Sequence, residues 1–562
     1  MSSTTRETIH DPFKAWRFQV FPTMKPSEVF NVIMKTTFAV FTILSVSLFS
    51  YYAFSNQVIL RSCPQCDILF RHRKFSDIND NIPSDSHEKT NISHIMFGIG
   101  GSANSWNDRR LYSDLWWKPN VTRGFVWLDE KPPENYTWPE TSPAYRVSAD
   151  TSRFNYTCSY GSRSALRIAR IVKESFELGL DNVRWFVMGD DDTVFFVENL
   201  VTVLSKYDHN QMYYIGGNSE SVEQDMIHSY TMAYGGGGFA VSYPLAAELV
   251  RVLDGCLDRY ASYYGSDQKV QGCIAEIGVQ ITKEPGFHQF DIRGSPYGLL
   301  AAHPVAPLVS LHHLDYVDSI FPNLTRIEAL KKLISPYKMD PDRAVQHSFC
   351  YDLNRNWSIS VSWGYTVQLY PSLVTAKTLE TAYLTFKSWR TWKEEPFTFN
   401  TQPLSQDPCE RPIVYFLDRV GRVGQDKTLT TYKRQSNELD KNCDRVDYSP
   451  ALAVQQFHVS ASTLQPEIWK MAPRRQCCEI INGREGMIEV KIRGCNQYES
   501  TKMAHHTLRN SDDTQAAVGD KNPTIRRMAE EAANPTMGLL TRILENQNRL
   551  IEDLARDRQV PR

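Results

Sequence analysis

The residues best placed to do chemistry in this sequence are the consecutive carboxylates Asp190, Asp191 and Asp192, which close the apolar run Trp185-Phe-Val-Met188. Adjacent anions at the end of a buried strand repel one another unless something offsets them. A divalent cation among them removes the repulsion, so the spacing points to a hard-metal site, with a solvated acidic turn as the alternative. Downstream, His312 and His313 end the apolar run Pro307-Leu-Val-Ser-Leu311. A lone histidine there is usually a hydrogen-bonded core residue, but beside a carboxylate cluster one of the two becomes a candidate ligand. Gly235 to Gly238 remove every side chain from one stretch, which lets a ligand approach the backbone or else gives a flexible loop.

These residues need elements to hold them. Ile95-Met-Phe-Gly-Ile99 reads as a strand followed by Gly100-Gly101-Ser102, a pair of glycines that fits either a phosphate cradle or a plain turn. Gly124-Phe-Val-Trp-Leu-Asp129 is a second strand ending in an acid. Ala165, Ile168, Ala169, Val172 and Phe176 recur at helical spacing, with Ser162 or Ser164 as cap, and this helix feeds the strand that ends at the acids. Phe239-Ala-Val241 is strand-like and leads into a helix over 244–253, while Ser266 is placed to cap a helix whose dipole Asp267 complements. Strand, helix, strand alternation predicts an α/β class with a right-handed parallel sheet, whose ligands bind at the carboxyl ends of the strands.

The compartment is read from the first part of the chain. No charge lies between Lys35 and Arg61, and residues 36–54 are long and apolar enough to cross a bilayer, so the expectation is a cytosolic tail over 1–35, a retained signal anchor over 36–54 and a polar stem over 55–90. The sequons at Asn91, Asn120, Asn135, Asn155, Asn323 and Asn356 all follow that span, as do all 11 cysteines, which favours an oxidising lumen on the carboxyl side. The odd cysteine count leaves a thiol free or paired between chains, and Cys63-Pro-Gln-Cys66 offers either a homodimer bridge or a local loop disulfide. A net charge of -2 and a pI near 6.7 supply no basic stripe, so nucleic acid is not an expected partner.

From His94 to Asp318 the order of these features resembles the fringe-like β-1,3-glycosyltransferases, in particular their plant members grouped as a domain of unknown function. The resemblance implies a GT-A fold over 91–335, a type II Golgi membrane protein, and an inverting transfer from a UDP-sugar to a glycan or glycoprotein acceptor that depends on Mn2+ or Mg2+. It maps the metal onto Asp192, Asp190 and His312, with Asp192 the direct ligand and Asp190 nearer the ribose or bound through water. Asp267 resembles the family's catalytic base, and the donor is expected against Asp190, Asp191, Gly100, Gly236 and Gly237. The chain departs from the pattern where Ser266 precedes the base and where the glycine run is pure Gly, differences that bear on the acceptor. The chemistry agrees with the residue types: a cation neutralises a diphosphate leaving group, and one carboxylate suffices to deprotonate an acceptor hydroxyl.

Beyond residue 335 the character changes. Trp357, Trp363, Trp389 and Trp392 mix with strand-like runs and with Cys409, Cys443, Cys477, Cys478 and Cys495, which predicts a second, β-rich, disulfide-containing domain over 336–500. The tryptophans are read as core packing, with sugar stacking the alternative. Residues 501–562 read as a polar tail with an amphipathic helix through Leu540, Ile543, Leu544, Leu550, Ile551 and Leu554, a candidate oligomerisation element. Two rival functions fit part of this pattern: a lumenal sugar-binding protein without turnover, and a metal-dependent phosphohydrolase.

Overall fold

A computed structural model describes residues 89–500, apart from 395, 436–442, 444, 447 and 485, together with Leu44 and Ser45. The expected anchor and stem, Cys63, Cys66 and the tail over 501–562 lie outside the described residues, Leu44 and Ser45 excepted. Among the described residues no helix is long and apolar enough to cross a membrane.

The strand and helix periods of the sequence translate directly into a layered α/β body. In chain order its strands are β1 (Ile95–Gly100), β2 (Arg123–Leu128), β3 (Tyr145–Val147), β4 (Trp185–Asp190), β5 (Val194–Phe195), β6 (Tyr214–Gly216), β7 (Phe239–Ser242), β8 (Ile281–Lys283), β9 (Phe287–His288), β10 (Ile292–Gly294) and β11 (Ser310–Leu311). Its helices include α1 (Trp106–Ser113), α2 (Ser164–Phe176), α3 (Val197–Leu204), α4 (Val222–Ile227), α5 (Tyr243–Arg259) and α6 (Ser266–Ile277). The main sheet runs β3-β2-β1-β4-β7-β6-β8. Alternate residues of β1 and β4 face opposite layers: Met96, Phe186 and Met188 join Leu166, Ala169, Leu249 and Ile274 on one face, while Ile95, Phe97, Trp185 and Val187 join the other. Truncating one of these fully buried side chains, such as Leu249→Ala, costs about 2–5 kcal/mol.

The sheet is mixed rather than parallel throughout. β1, β2, β3 and β4 run parallel as expected, but β7 is antiparallel to both β4 and β6. The reason lies in the connection from β6 to β7. It begins beyond Gly216 and ends before Phe239, and those two residues pair, so the chain never returns to the far edge and must come back antiparallel. This places Gly235 to Gly238 at the end of the sheet where β4 delivers its acids. The helix expected over 244–253 extends over the whole of α5, and Ser266 is the first residue of α6, behind Gly265 as cap. Likewise α2 is preceded by Arg163 and has no side-chain cap.

Residues 336–500 contain a closed barrel of the strands His347–Asp352, Trp357–Ser362, Thr366–Tyr370, Ile413–Arg422, Lys427–Arg434, Gln456–Ser462, Met487–Arg493 and Cys477–Arg484. Trp357 and Trp363 are buried in its core, and one hydrophobic cluster runs without a break from β1 and β4 through Leu308 and Val309 into Ile359, Tyr415 and Val459. Disulfides join Cys350 to Cys478, Cys409 to Cys443 and Cys477 to Cys495, while Cys256 and Cys273 tie α5 to α6. Among the described residues Cys158 is the free thiol, and it is buried.

Candidate functional site

The acids stand where β4 leaves the sheet, and a short second sheet brings the histidines to them. In it β11 lies antiparallel to β5, with Leu311 opposite Val194, so the next residue, His312, is set against the segment that carries Asp192. His312 Nε2 lies 3.1 Å from Asp192 Oδ1 and 3.8 Å from Asp190 Oδ2. One ligand atom from each of Asp190, Asp192 and His312 falls within 4.8 Å of the others. His312 and Asp192 are buried, whereas the Asp190 side chain is 34% exposed and forms the open side. Asp192 Oδ1 and His312 Nδ1 are buried without a hydrogen bond of normal geometry. A buried carboxylate oxygen beside an imidazole and a second carboxylate is a donor set that fits a divalent ion.

The chain also supplies a cation of its own. Arg109, on α1, reaches Asp191 Oδ1 at 2.9 Å and Asp192 Oδ2 at 3.3 Å, and lies 3.7 Å from Asp315. Burial works against the Asp192 anion, but His312 and Arg109 overcome it and hold this carboxyl well below the usual range. Asp190, with His312 no nearer than 3.8 Å, shifts the other way: desolvation, then the charges of Asp192, Asp191 and Asp267, push it up to about 8. Burial raises Asp191 as well, against the opposing pull of Arg109. The His312 imidazole is lowered by burial but raised overall by the Asp192 charge. The repulsion foreseen among the acids is therefore relieved in part by a guanidinium. Nothing in the spacing of the sequence singles out Arg109.

The glycine run forms the wall behind the histidine. A Cβ at Gly236 would stand 2.0 Å from His312 Cε1, so no side chain fits there. Thr193 Oγ1 accepts from the Asp190 amide at 2.8 Å and donates to the Gly236 carbonyl at 2.7 Å, tying the glycines to the acids. Gly237 N donates to Gln289 Oε1 at 2.7 Å, and its carbonyl accepts from Ser310 Oγ. Gly238 has φ +85, a conformation glycine adopts without strain.

Asp267 sits on the other side of the run, in the first turn of α6. Its carboxylate accepts from Gly235 N at 3.2 Å and Gln268 N at 2.8 Å, and burial raises its pKa despite these donors. Asp267 and Asp190 line one small cavity with Gly98, Gly189 and Gly235. Gly100 pairs in register with Asp190, whose Oδ1 is 3.4 Å from a Cβ placed there. The Gly100-Gly101-Ser102 loop closes on the protein: Ser102 Oγ and Ala103 N each donate to Asp129 at 2.9 Å, and Gly101 N to the Trp127 carbonyl at 3.0 Å. His313 is not in the metal cluster. It has φ 62, stacks on His312 with ring centroids 4.1 Å apart and on Trp389 at 4.7 Å, and its Nδ1 lies 2.8 Å from Asp291 Oδ1. Trp389 thus packs behind the site, in line with the packing expected of the tryptophans, whereas Trp392 is exposed, against that expectation.

Two family comparisons cover this part of the chain. The family described as Fringe-like matches residues 127–294, with Asp190, Asp192, the glycine run and Asp267 inside the match. The chain carries a Fringe-like domain. The family described as a protein of unknown function, DUF604, matches residues 224–478, and it is this stretch that supplies His312 and most of the barrel. No curated protein matches the chain. The Fringe-like domain is of a glycosyltransferase family with a GT-A-type, mixed α/β fold, which agrees with the mixed sheet and the Cys256–Cys273 bridge. The candidate metal cluster therefore draws two ligands from the Fringe-like match and one from beyond it.

Proposed function

We propose that this chain is an inverting, divalent-metal-dependent glycosyltransferase that moves a hexose or N-acetylhexosamine from a UDP-sugar to a glycan or glycoprotein acceptor, forming a β-1,3 linkage. The observation that carries the reading is the convergence of Asp190, Asp192 and His312 at the strand ends of a Fringe-like domain, with a half-buried carboxylate, Asp267, across the glycine run. Asp190, Asp192 and His312 would hold Mn2+ or Mg2+. When bound, the ion supplies Lewis-acid neutralisation of the departing diphosphate.

Asp267 acts as the general base. The acceptor oxygen forms its bond to C1 of the sugar from the face opposite the leaving group, the C1–oxygen bond to UDP breaks with its electron pair, and the hydroxyl proton passes to Asp267. Two backbone amides fix this carboxylate in place, and its raised pKa makes it a better proton acceptor than an exposed aspartate. The bare backbone of Gly236 makes room for the His312 ring and that of Gly237 lies against Gln289, so the donor would meet the backbone of this run. The same reading places the enzyme in the Golgi membrane as a type II protein with this domain in the lumen, supported by the sequons and by the disulfides among the described cysteines.

The test is release of UDP by the full-length chain across a panel of UDP-sugars, with Mn2+ or with EDTA, beside Asp192→Asn. Metal-dependent release with one donor, lost in the variant, supports the reading. Metal-dependent UDP binding without release for any donor or acceptor supplied would instead favour a sugar-binding protein without turnover.

A further inference from the structure

A second cavity, of about 760 Å3, opens away from the metal cluster; Asp190, Asp192, Asp267 and His312 take no part in its lining. That volume lies within the range of small-molecule sites and exceeds the needs of one sugar ring. Its walls come from both family matches: Asn218, Glu220 and His288 lie on the Fringe-like side, and Lys377, Asn400 and Arg475 on the side of the barrel.

The walls combine apolar surface with polar groups that are largely paired with one another. Glu220 Oε1 lies 3.0 Å from His288 Nδ1, and His288 Nε2 lies 3.0 Å from His303 Nε2, so the floor is a chain of exchangeable donors and acceptors. Burial pushes the Glu220 carboxyl up to about 8 and that of Asp225 to about 7, and holds both imidazoles below their usual range, His288 at about 4. Such groups donate as well as accept, which suits hydroxyls. Asp225 Oδ2 and Arg475 Nε are buried without a hydrogen bond of normal geometry. Of the three lining cations, Lys377 and Arg475 are engaged with Glu380 at 2.7 and 3.4 Å and the exposed Lys283 acts on the Asp225 carboxyl, so acids of the same lining stand against all three and disfavour a phosphate or carboxylate. Phe399 and the half-exposed Tyr230 add the aromatic surface on which sugar rings pack.

The cavity is also wired to the metal cluster. Ser219, in its wall, donates to Asp291 Oδ2 at 2.7 Å; Asp291 Oδ1 meets His313 Nδ1 at 2.8 Å; and His313 stacks on His312. We propose that the cavity between the Fringe-like domain and the barrel binds a neutral oligosaccharide, the sugars of the acceptor remote from the point of transfer. The occupant's role as acceptor rests on the transferase reading, whereas carbohydrate binding by the cavity does not.

The experiment uses the full-length chain on an immobilised panel of neutral di- to hexasaccharides ending in galactose, glucose, xylose or N-acetylglucosamine, with UDP and Mn2+ binding measured separately. Asn400→Trp and Lys377→Trp fill the mouth from exposed positions, and Lys377→Gln removes a charge without filling it. The wild type is expected to retain at least one oligosaccharide, each Trp variant to bind it at least tenfold more weakly with UDP–Mn2+ binding unchanged, and Lys377→Gln to stay within twofold. Wild-type binding by the Trp variants, a tenfold loss in Lys377→Gln, or no oligosaccharide bound by a chain that binds UDP–Mn2+ would each overturn the proposal. Failure of UDP–Mn2+ binding in the wild type, with oligosaccharide binding still blocked by the Trp variants, would remove the transferase reading and the acceptor role while retaining the carbohydrate site.

Discussion

His312 Nε2 stands 3.1 Å from Asp192 Oδ1 because β11 pairs antiparallel with β5 and delivers the histidine beside the acids. If the two are ligands of one ion, either Asp192→Asn or His312→Ala should weaken Mn2+ binding by more than the about 10- to 100-fold that loss of an outer-shell partner costs. Titration with Mn2+ followed by calorimetry measures this. Unchanged affinity in both variants would dismiss the cluster as a metal site.

Gly236 gives a steric test of the same geometry. Its missing Cβ would lie 2.0 Å from the His312 ring, so Gly236→Ala must displace the imidazole or the loop. Overpacking of this kind costs about 1–3 kcal/mol. Metal affinity should fall together with thermal stability, and a variant that kept full Mn2+ affinity would show that His312 is not held there for a ligand.

What the sequence disclosed follows from the range of the forces involved. The strand carrying Asp190 to Asp192, the helix over 164–176 and the glycine run were legible because hydrophobic period, charge and the absence of side chains are local signals. The antiparallel direction of β7 was not, since it depends on which end of the sheet the β6–β7 connection occupies. Of His312 and His313 the residue types alone favoured neither; strand register separates them, with His312 in the cluster and His313 in the left-handed region against Trp389. Arg109 and Asp291 reach the site through tertiary contacts with no pattern near them in the chain.

Asp267 and Asp192 should fail differently. Asp267→Asn keeps the shape of the turn and both backbone donors nearby, yet removes the proton acceptor, so turnover should drop by about a hundredfold to ten-thousandfold while UDP–Mn2+ binding holds. Steady-state rates beside equilibrium binding decide the matter, and parallel loss of donor binding in Asp267→Asn would reassign it to the donor site.

Glu220 predicts a pH dependence of stability. Burial raises its folded pKa to about 8, well above the roughly 4.3 of an unfolded glutamate, so between those values the native state holds a proton that the unfolded chain has released. Its contribution is complete at low pH and is lost as pH rises through about 8, at up to about 1.4 kcal/mol per pH unit. Glu220→Gln preserves the shape and cannot release that proton. Urea unfolding at several pH values from 5 to 8 should show the variant gaining on the wild type as pH rises, and a constant difference would refute the assignment.

Arg109 links the site to stability most directly. Its guanidinium stands where it neutralises Asp191 and Asp192, so Arg109→Gln leaves two buried carboxylates with less compensation. Breaking a fully buried pair costs about 3–5 kcal/mol, and since the Arg109 side chain is 32% exposed and partly screened the expected loss is nearer about 1–3 kcal/mol. A divalent ion can substitute for the missing charge. Denaturation in EDTA should therefore find the variant weaker than the wild type, and Mn2+ should stabilise it by a larger increment than it gives the wild type. An equal Mn2+ increment in both proteins would mean that the guanidinium and the ion do not share the same carboxylates.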